Sequence, residues 1–338
     1  MLRIHVSGVD LSRVRMATRP DAMWETILSF HRLRDRRGST VFGKWRAESR
    51  ARLNGEARLL ATVVPPRGYF PDFLTPSQEG AEPFGLDAGM EALRDTAADR
   101  IREETGLLAQ QAPRMRRASS GAPSGAALLE ALAEGRTEPL GRLITTLRDY
   151  HRAAVEPYWP HIRACVEADR AVRGRALLDG GADELLAGLP SMIRWRAPVL
   201  EADYPVDREL RLDGRGLLLQ PSFFCRGTPV VYRDPGLPPV LVYPVTHPGA
   251  PVFAEPGPWL GRLVGHTRST VLRSIGQGCT TSELARRTGV SLASASQHAC
   301  VLREAGLVRT LRHGSSVLHT LTPLGAALLR GGAPLPVS

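Results

Sequence analysis

Few side chains in this sequence are spaced for chemistry. His161, Cys165 and Asp169 recur every fourth residue, which places a soft ligand trio on one face of a helix. No fourth ligand accompanies them, so packing is the reading preferred over a metal centre. His151, Glu156, Tyr158 and Trp159 crowd around Pro157. A histidine–glutamate acid–base pair is conceivable there, but histidines at helix ends commonly serve structure and no GxSxG nucleophile motif occurs. Gly214-Arg215-Gly216, preceded by Asp213, reads as a turn between strands rather than a phosphate loop. Tyr69, Phe70 and Phe73 either line a ligand pocket or plug a core, and the plug needs no ligand. The four cysteines, at 165, 225, 279 and 300, form neither a CxxC nor a CxC pair, which argues against a disulfide scaffold and a zinc ribbon. No catalytic residue, metal or cofactor is expected, and the chain is not read as an enzyme.

Chemistry of another kind, the binding of a polyanion, is concentrated near the carboxy terminus. The 338 residues carry a formal charge of +10, and every cationic side chain except Lys44 is arginine. Between Arg262 and Arg330, nine arginines face only Glu283 and Glu304, a net of +7 in about a fifth of the chain. A solvated charged face would interleave acids with the arginines. A basic module on a nearly balanced body points instead to nucleic acid.

The elements upstream divide by texture. Residues 2–6 alternate like a short strand, Asp21 is placed to cap a helix with an apolar stripe at Met23, Trp24, Ile27, Leu28 and His31, and a further helix is expected over Lys44 to Thr62. Pro65-Pro66 ends it and opens the aromatic loop. Helices follow at 86–96 and 97–110, then a flexible connection from Arg117 to Gly125, then helical pattern from Ala126 to about Leu189, broken at Pro157 and Pro160. From Ala197 the runs 199–204, 209–213, 216–225, 230–233 and 240–245 are short and separated by Gly, Pro and Asp, which predicts a small antiparallel sheet. The charge-free stretch from Pro235 to Ala254 holds six prolines and is no membrane span. Met1 to Asp10 has no unbroken apolar run of the secretory kind, so a cytoplasmic protein with reduced thiols is expected.

After a proline-rich linker at 248–258, a helix is expected over Trp259 to Ile275. Thr280 or Thr281 caps a second, Gly289 ends it, and Ser291 caps a third whose inner face is Ala295, Ala299 and Leu302. Two alternating runs, Leu307 to Arg312 and Ser316 to Leu321, form a hairpin around His313-Gly314-Ser315, and Thr322 caps a last helix with Leu324, Leu328 and Leu329 inward. The order is that of a winged helix-turn-helix.

Val290-Ser291, Ser296-Gln297-His298 and Leu302-Arg303-Glu304-Ala305-Gly306-Leu307-Val308, with the hairpin after them, resemble the winged-helix repressors of the ArsR type over roughly Leu263 to Leu329. Pro65 to Leu74, Tyr150 to Ala164 and Leu217 to Cys225 resemble, more loosely, the large amino-terminal domain joined to such winged helices in regulators of high-GC bacteria, a likeness that supplies no activity. The fold expected is therefore α+β: a mostly helical amino-terminal domain with a small antiparallel sheet (1–247, helical over 1–196 and strands over 197–247), the linker, a carboxy-terminal winged helix-turn-helix (259–331) and a tail (332–338). The relatives' metal sensing does not carry over, because Cys279 and Cys300 stand alone.

In that arrangement the third helix, 291–305, enters the major groove of double-stranded DNA and presents Ala293, Ser294, Gln297 and His298. Gln297 is the candidate for base readout, since its amide pairs with N6 and N7 of adenine. Ala293 suits a thymine methyl, and Ser291, Ser294 and Ser296 suit phosphate or opportunistic base contact. His298 matches the family's recognition-helix histidine. Arg309, Arg312 and His313 on the 307–321 hairpin, with Thr281, Arg286 and Arg287, suit the flanking backbone. The resemblance implies a homodimer on a palindromic operator. Repression gated by a small-molecule effector on the amino-terminal domain is the mechanism expected, with no membrane involved. The alternative is an enzyme or toxin-like body that uses the winged helix for tethering or autoregulation.

Overall fold

A carboxylate just ahead of an apolar run is a helix start. In the computed structural model, Asp21 accepts hydrogen bonds from the backbone N–H groups of Met23 (2.8 Å) and Trp24 (2.9 Å), opening the helix Ala22–Arg34. The structure describes residues 1–35, 39–53, 55–65, 68–77, 83–115, 124–245, 258–275, 278–313 and 316–330. The chain divides into two units, Met1–Ser39 with Gly43–His247, and Thr40–Phe42 with Pro248–Ser338. Among the described residues the architecture is mixed α/β, with helices predominating and strands in three small sheets.

The Ala22–Arg34 helix does not show the one-sided stripe its sequence suggests. All residues from Ala22 to His31 are buried, polar ones included, so each polar group must find a partner. Thr26 bonds the Ala22 carbonyl and the ring of His151, and Ser29 meets the Tyr150 hydroxyl at 2.9 Å. Glu25, fully buried, accepts from the backbone N–H groups of Phe223 (2.8 Å) and Phe224 (3.1 Å). Burial nevertheless pushes its carboxyl up to about 7.

Leu86–Arg94 and Thr137–Ala154 pack on this helix, and Arg46 and Arg50 of Ser39–Arg52 donate to its Arg32 and Leu33 carbonyls; further helices are Ala98–Met115, Ser124–Ala133 and Trp159–Ala187, the last interrupted at Gly180–Gly181. The helix expected over 44–62 is in fact two helices with a 3₁₀ turn, Gly55–Leu59, between them. Of the expected flexible connection, 117–123 lies outside the described residues, while Ser124 already begins a helix.

The sheets correct the antiparallel expectation. The first is four-stranded and mixed. β1 (Leu2–His5) lies between β4 (Val199–Ala202), to which it runs antiparallel, and β5 (Arg208–Arg211), to which it is parallel; β3 (Ile193–Arg196) pairs antiparallel with β4 at the edge. The second sheet is wholly parallel, β2 (Arg15–Met16) beside β6 (Leu218–Ser222) beside β7 (Val240–Pro244). Two amino-terminal strands and β3 thus belong to sheets that the sequence pattern confines to residues after 197. Every residue of β7 is buried, the mark of a strand covered on both faces, as parallel strands are. Segment 230–233 contributes only an isolated bridge, Val230 to Val242. The shared core includes Leu2, Ile4, Leu200, Leu219, Leu241 and Tyr243. Among the described residues, no helix is long and apolar enough to cross a membrane.

Glu25→Ala would leave two buried N–H groups without an acceptor and is expected to cost about 3 kcal/mol in urea unfolding. Glu25→Gln keeps one acceptor oxygen and is expected to cost less. Because the folded value lies above the ordinary 4.5, the carboxyl favours the fold at acid pH and loses that contribution as pH rises through about 7. The Gln variant is expected to flatten this slope.

Candidate nucleic-acid interface

In the larger unit the side chains singled out for chemistry are held apart or already engaged. Asp169 accepts from the Tyr243 hydroxyl at 2.6 Å and faces Arg173 at 3.5 Å. His161 and Cys165 meet at 3.3 Å, and the His161 ring stands edge-on to Phe223. Burial, with the Glu25 charge adding to it, pushes the Cys165 thiol up to about 11, far from the thiolate a soft metal requires. Among the described residues, no group of three or more His, Cys, Asp or Glu side chains is placed to hold a metal ion.

His151 and Glu156 form no acid–base pair. The imidazole is buried against Thr26, 2.7 Å from its hydroxyl, and burial lowers it to about 4, whereas Glu156 is exposed. In the aromatic loop Phe73 is wholly buried, its N–H donating to Glu104 at 2.8 Å, and Phe70 packs edge-on to Trp24. Pro66 and Arg67, at the start of that loop, lie outside the described residues.

In the smaller unit the sequence builds a tight helical crossing. The expected single helix over 259–275 is two, Pro258–Val264 and His266–Ile275, parted at Gly265. Thr280 then caps the helix Thr281–Thr288, its hydroxyl accepting from the Glu283 N–H at 3.3 Å. Gly289 closes it at φ 70°, ψ 22°, a left-handed conformation that a side chain would strain. Two residues on, Ser291 accepts from the Ser294 N–H at 3.1 Å and starts the helix Leu292–Glu304. Ala295, Ala299 and Leu302 are buried against Val271, Leu272, Ile275 and Leu284. Small side chains at 295 and 299 let the helices approach closely, so one face of Leu292–Glu304 is committed to the core.

The strands β9 (Val308–His313) and β10 (Ser316–Leu321) pair antiparallel, Leu311 opposite Leu318. A third strand, β8 (Cys279–Thr280), pairs antiparallel with β10 and was not expected. Of the hairpin turn, Gly314 and Ser315 lie outside the described residues, as do 248–257 of the linker and the tail from 331. The last helix, Pro323–Arg330, follows Thr322, whose hydroxyl accepts from the Gly325 N–H at 3.0 Å. Leu328 and Leu329 pack on the core as expected, but Leu324 is 59% exposed, and so is Leu263 at 66%. Both stand near the starts or ends of short helices, where the periodic stripe runs past the core.

The face of Leu292–Glu304 turned away from the core carries Ala293, Ser296 and Gln297, all exposed, with Ser291 exposed at its cap and His298 half-buried beside them. Ser294 is half-buried and takes a hydrogen bond from the Ser291 hydroxyl, so its oxygen is partly spent within the cap. Arg286 and Arg287 share Glu283, and Arg287 also reaches the Ser274 carbonyl at 3.0 Å. Arg287 therefore ties two helices together, while Arg286 remains largely in solvent. Arg309 is exposed on β9, and the side chains of Arg312 and His313 lie outside the described residues. Thr281 faces inward, its hydroxyl 3.0 Å from the His319 ring.

Sequence reasoning missed two features. Leu292 is 55% exposed beside Ala293. His319 is 5% exposed and bridges Thr281 on one side to Thr310 at 3.1 Å on the other. The alternation Val317, His319, Leu321 was the signal that points it inward.

What this surface can do chemically follows from its content. It offers one amide, short hydroxyls and a methyl group on a capped helix, flanked by guanidinium groups, which is hydrogen-bonding and electrostatic capacity. Comparison with protein-family models, with curated proteins and with solved structures finds no match to this chain.

Burial, reinforced by the Arg303 charge, holds the His319 imidazole below its ordinary value. An unfolded chain then takes up a proton at pH values where the folded one does not, so stability is present above about 6.5 and is lost as pH falls through the folded value. Hydrogen exchange across 279–321 is expected to accelerate between pH 7 and 5 after correction for intrinsic rates. His319→Gln, which keeps a donor and an acceptor without titrating, is expected to remove that acceleration.

Proposed function

We propose that the chain is a sequence-specific DNA-binding transcriptional regulator, a repressor acting as a homodimer, whose carboxy-terminal unit is a winged helix-turn-helix of the ArsR type. The observation that carries this reading is the division of the Leu292–Glu304 helix. Ala295, Ala299 and Leu302 hold one face in the core, while Ser291, Ala293, Ser296 and Gln297 stand exposed on a helix whose amino-terminal cap is intact. A recognition helix needs this arrangement, because its first turns must enter the major groove free of packing obligations. The antiparallel pair of β9 and β10 with Arg309 serves as the wing, and the excess of arginine over acid in this segment supplies affinity for the phosphate backbone.

Gln297 reads an adenine edge, and Ala293 with the exposed Leu292 meets thymine methyl groups. Arg286 and Arg309 contact flanking phosphates. Thr281 and Arg287 act through structure, the one holding His319 and the other the Ser274 carbonyl. Two copies on a palindrome would place recognition helices about 34 Å apart, and an effector on the larger unit would change the balance between DNA-competent and incompetent states. An enzymatic larger unit would call for titratable groups converging on an open cleft; Glu25, His151 and Asp169 are instead buried and bonded to protein partners.

Selection from a random duplex pool, at moderate and at high salt, tests the reading. A palindromic sequence is expected to be enriched. Gln297→Ala is expected to weaken binding to that sequence about tenfold or more while leaving affinity for random duplex unchanged. Arg309→Gln is expected to weaken both and to reduce the salt slope by about one. Binding without an enriched sequence would leave only a non-specific DNA binder, and no binding to any duplex would overturn the proposal.

A further inference from the structure

Outside the candidate interface, the larger unit gathers positive charge at one place without balancing it. Ser12, Arg13, Arg15 and Arg215 line a recess of about 370 Å³, within the size range of small-molecule sites. Two chain segments distant in sequence form it, and their closeness is enforced by the backbone. The Arg15 N–H donates to the Leu217 carbonyl at 2.9 Å, and the Gly216 N–H donates to Asp10 at 3.0 Å. Gly216 comes so near Arg13 that a β-carbon on it would lie 2.4 Å from the Arg13 carbonyl oxygen, which is why only glycine fits there.

The three guanidinium groups differ in what they have left to give. Arg215 spends four of its five N–H groups on the carbonyls of Leu212, Pro235, Leu237 and Arg211. It is thereby fixed in position with its charge intact. Arg13 spends one, on the Gly214 carbonyl at 2.7 Å. Arg15 is exposed at the recess and, among the described contacts, makes no side-chain hydrogen bond or ion pair. Carbonyl partners satisfy donors but do not neutralise charge. Two carboxylates come from the same segments. Asp10 is buried and turned to Ser7 and Gly216, and Asp213 is exposed in the turn at φ 52° without an ion pair to any of the three arginines. Like charges held together in this way repel one another unless an anion enters, and a planar fork of donors matches phosphate oxygens in pairs.

We propose that this recess binds the phosphate group of a phosphorylated small molecule, with Arg13 and Arg15 as the direct donors and Arg215 as a fixed charge; the Ser12 hydroxyl donates to the Val9 carbonyl at 2.7 Å and only lines the recess. The site as an anion site stands independently of DNA binding; its use as the effector site rests on the regulator reading above.

The test is calorimetric titration of the full-length protein with inorganic pyrophosphate, sodium chloride being adjusted to hold ionic strength constant. Saturable one-site binding is expected. Arg13→Gln and Arg15→Gln, whose side chains hold at most one carbonyl, are each expected to weaken it about tenfold with unchanged melting temperature. Arg215→Gln is unsuitable, since its side chain ties four backbone carbonyls together. Absence of saturable binding, or unchanged affinity in both variants, overturns the site. A parallel arm measures a short random-sequence duplex by fluorescence anisotropy. Equal duplex affinity in the wild type and Arg15→Gln is expected. Loss of duplex affinity in that variant assigns the phosphate to a DNA backbone and overturns the small-molecule ligand. Failure of the DNA reading would show as absent duplex binding with pyrophosphate binding retained.

Discussion

The larger unit depends on a helix that has no solvent face over its first ten residues. Ala22–Arg34 carries Glu25, Thr26, Ser29 and His31 into the interior together with Met23, Trp24, Ile27 and Phe30. Each buried polar group imposes a requirement on the surroundings, because desolvation without a partner costs several times what an average hydrogen bond returns. Thr137–Ala154 therefore brings Tyr150 and His151 to Ser29 and Thr26, and the segment after β6 turns its Phe223 and Phe224 N–H groups to Glu25. These bonds join residues more than a hundred positions apart. They specify one packing of helix on sheet where apolar contact alone would accept several.

The smaller unit solves an opposite problem, that of leaving one helical face unoccupied. A helix of a small domain is normally stabilised by burying as much as it can. Here Ala295 and Ala299 bury little area themselves, and the neighbouring Leu272, Ile275, Leu284 and Leu302 supply the core. Close approach by small residues and two good caps, Thr280 and Ser291, compensate for the exposed outer face. His319 adds a polar tie between the start of one helix and the sheet. Thr281 shows how a residue type suited to phosphate contact is diverted to this structural duty.

The local grammar was readable in the sequence where one residue decides the outcome. Asp21, Gly289 and Ser291 each start or stop a helix through their own backbone neighbourhood, and the structure places all three at those duties; of the two threonines the sequence offers, Thr280 is the cap. Pairing was not readable. The short runs after 197 look like a meander because they are close in sequence, yet β6 and β7 run parallel, and β1 and β2 arrive from the amino terminus to complete the sheets. Period-2 alternation reports which face is buried and says nothing about strand direction. The continuous burial of Val240–Pro244 held the clue, since a strand apolar at every position has both faces covered. Likewise the spacing of His161, Cys165 and Asp169 shows that they share a helical face but leaves out Tyr243 and Arg173, which occupy Asp169.

Charge counted by segment is a coarse guide to where guanidinium groups gather in space. In the basic carboxy-terminal segment, Glu283 partly offsets Arg286 and Arg287, and the exposed positions Ala293, Ser296 and Gln297 carry no charge at all. On the DNA reading, affinity there comes from the flanks and sequence choice from a neutral face, which are separable contributions. The first 261 residues are close to neutral as a sum, yet Arg13, Arg15 and Arg215 stand together because the Gly216 backbone brings two segments into contact. What matters for an anion is the number of guanidinium groups within a few ångströms that have donors left and no carboxylate paired to them. Linear charge density points only to the smaller unit and passes over the three arginines that line the recess on the larger one.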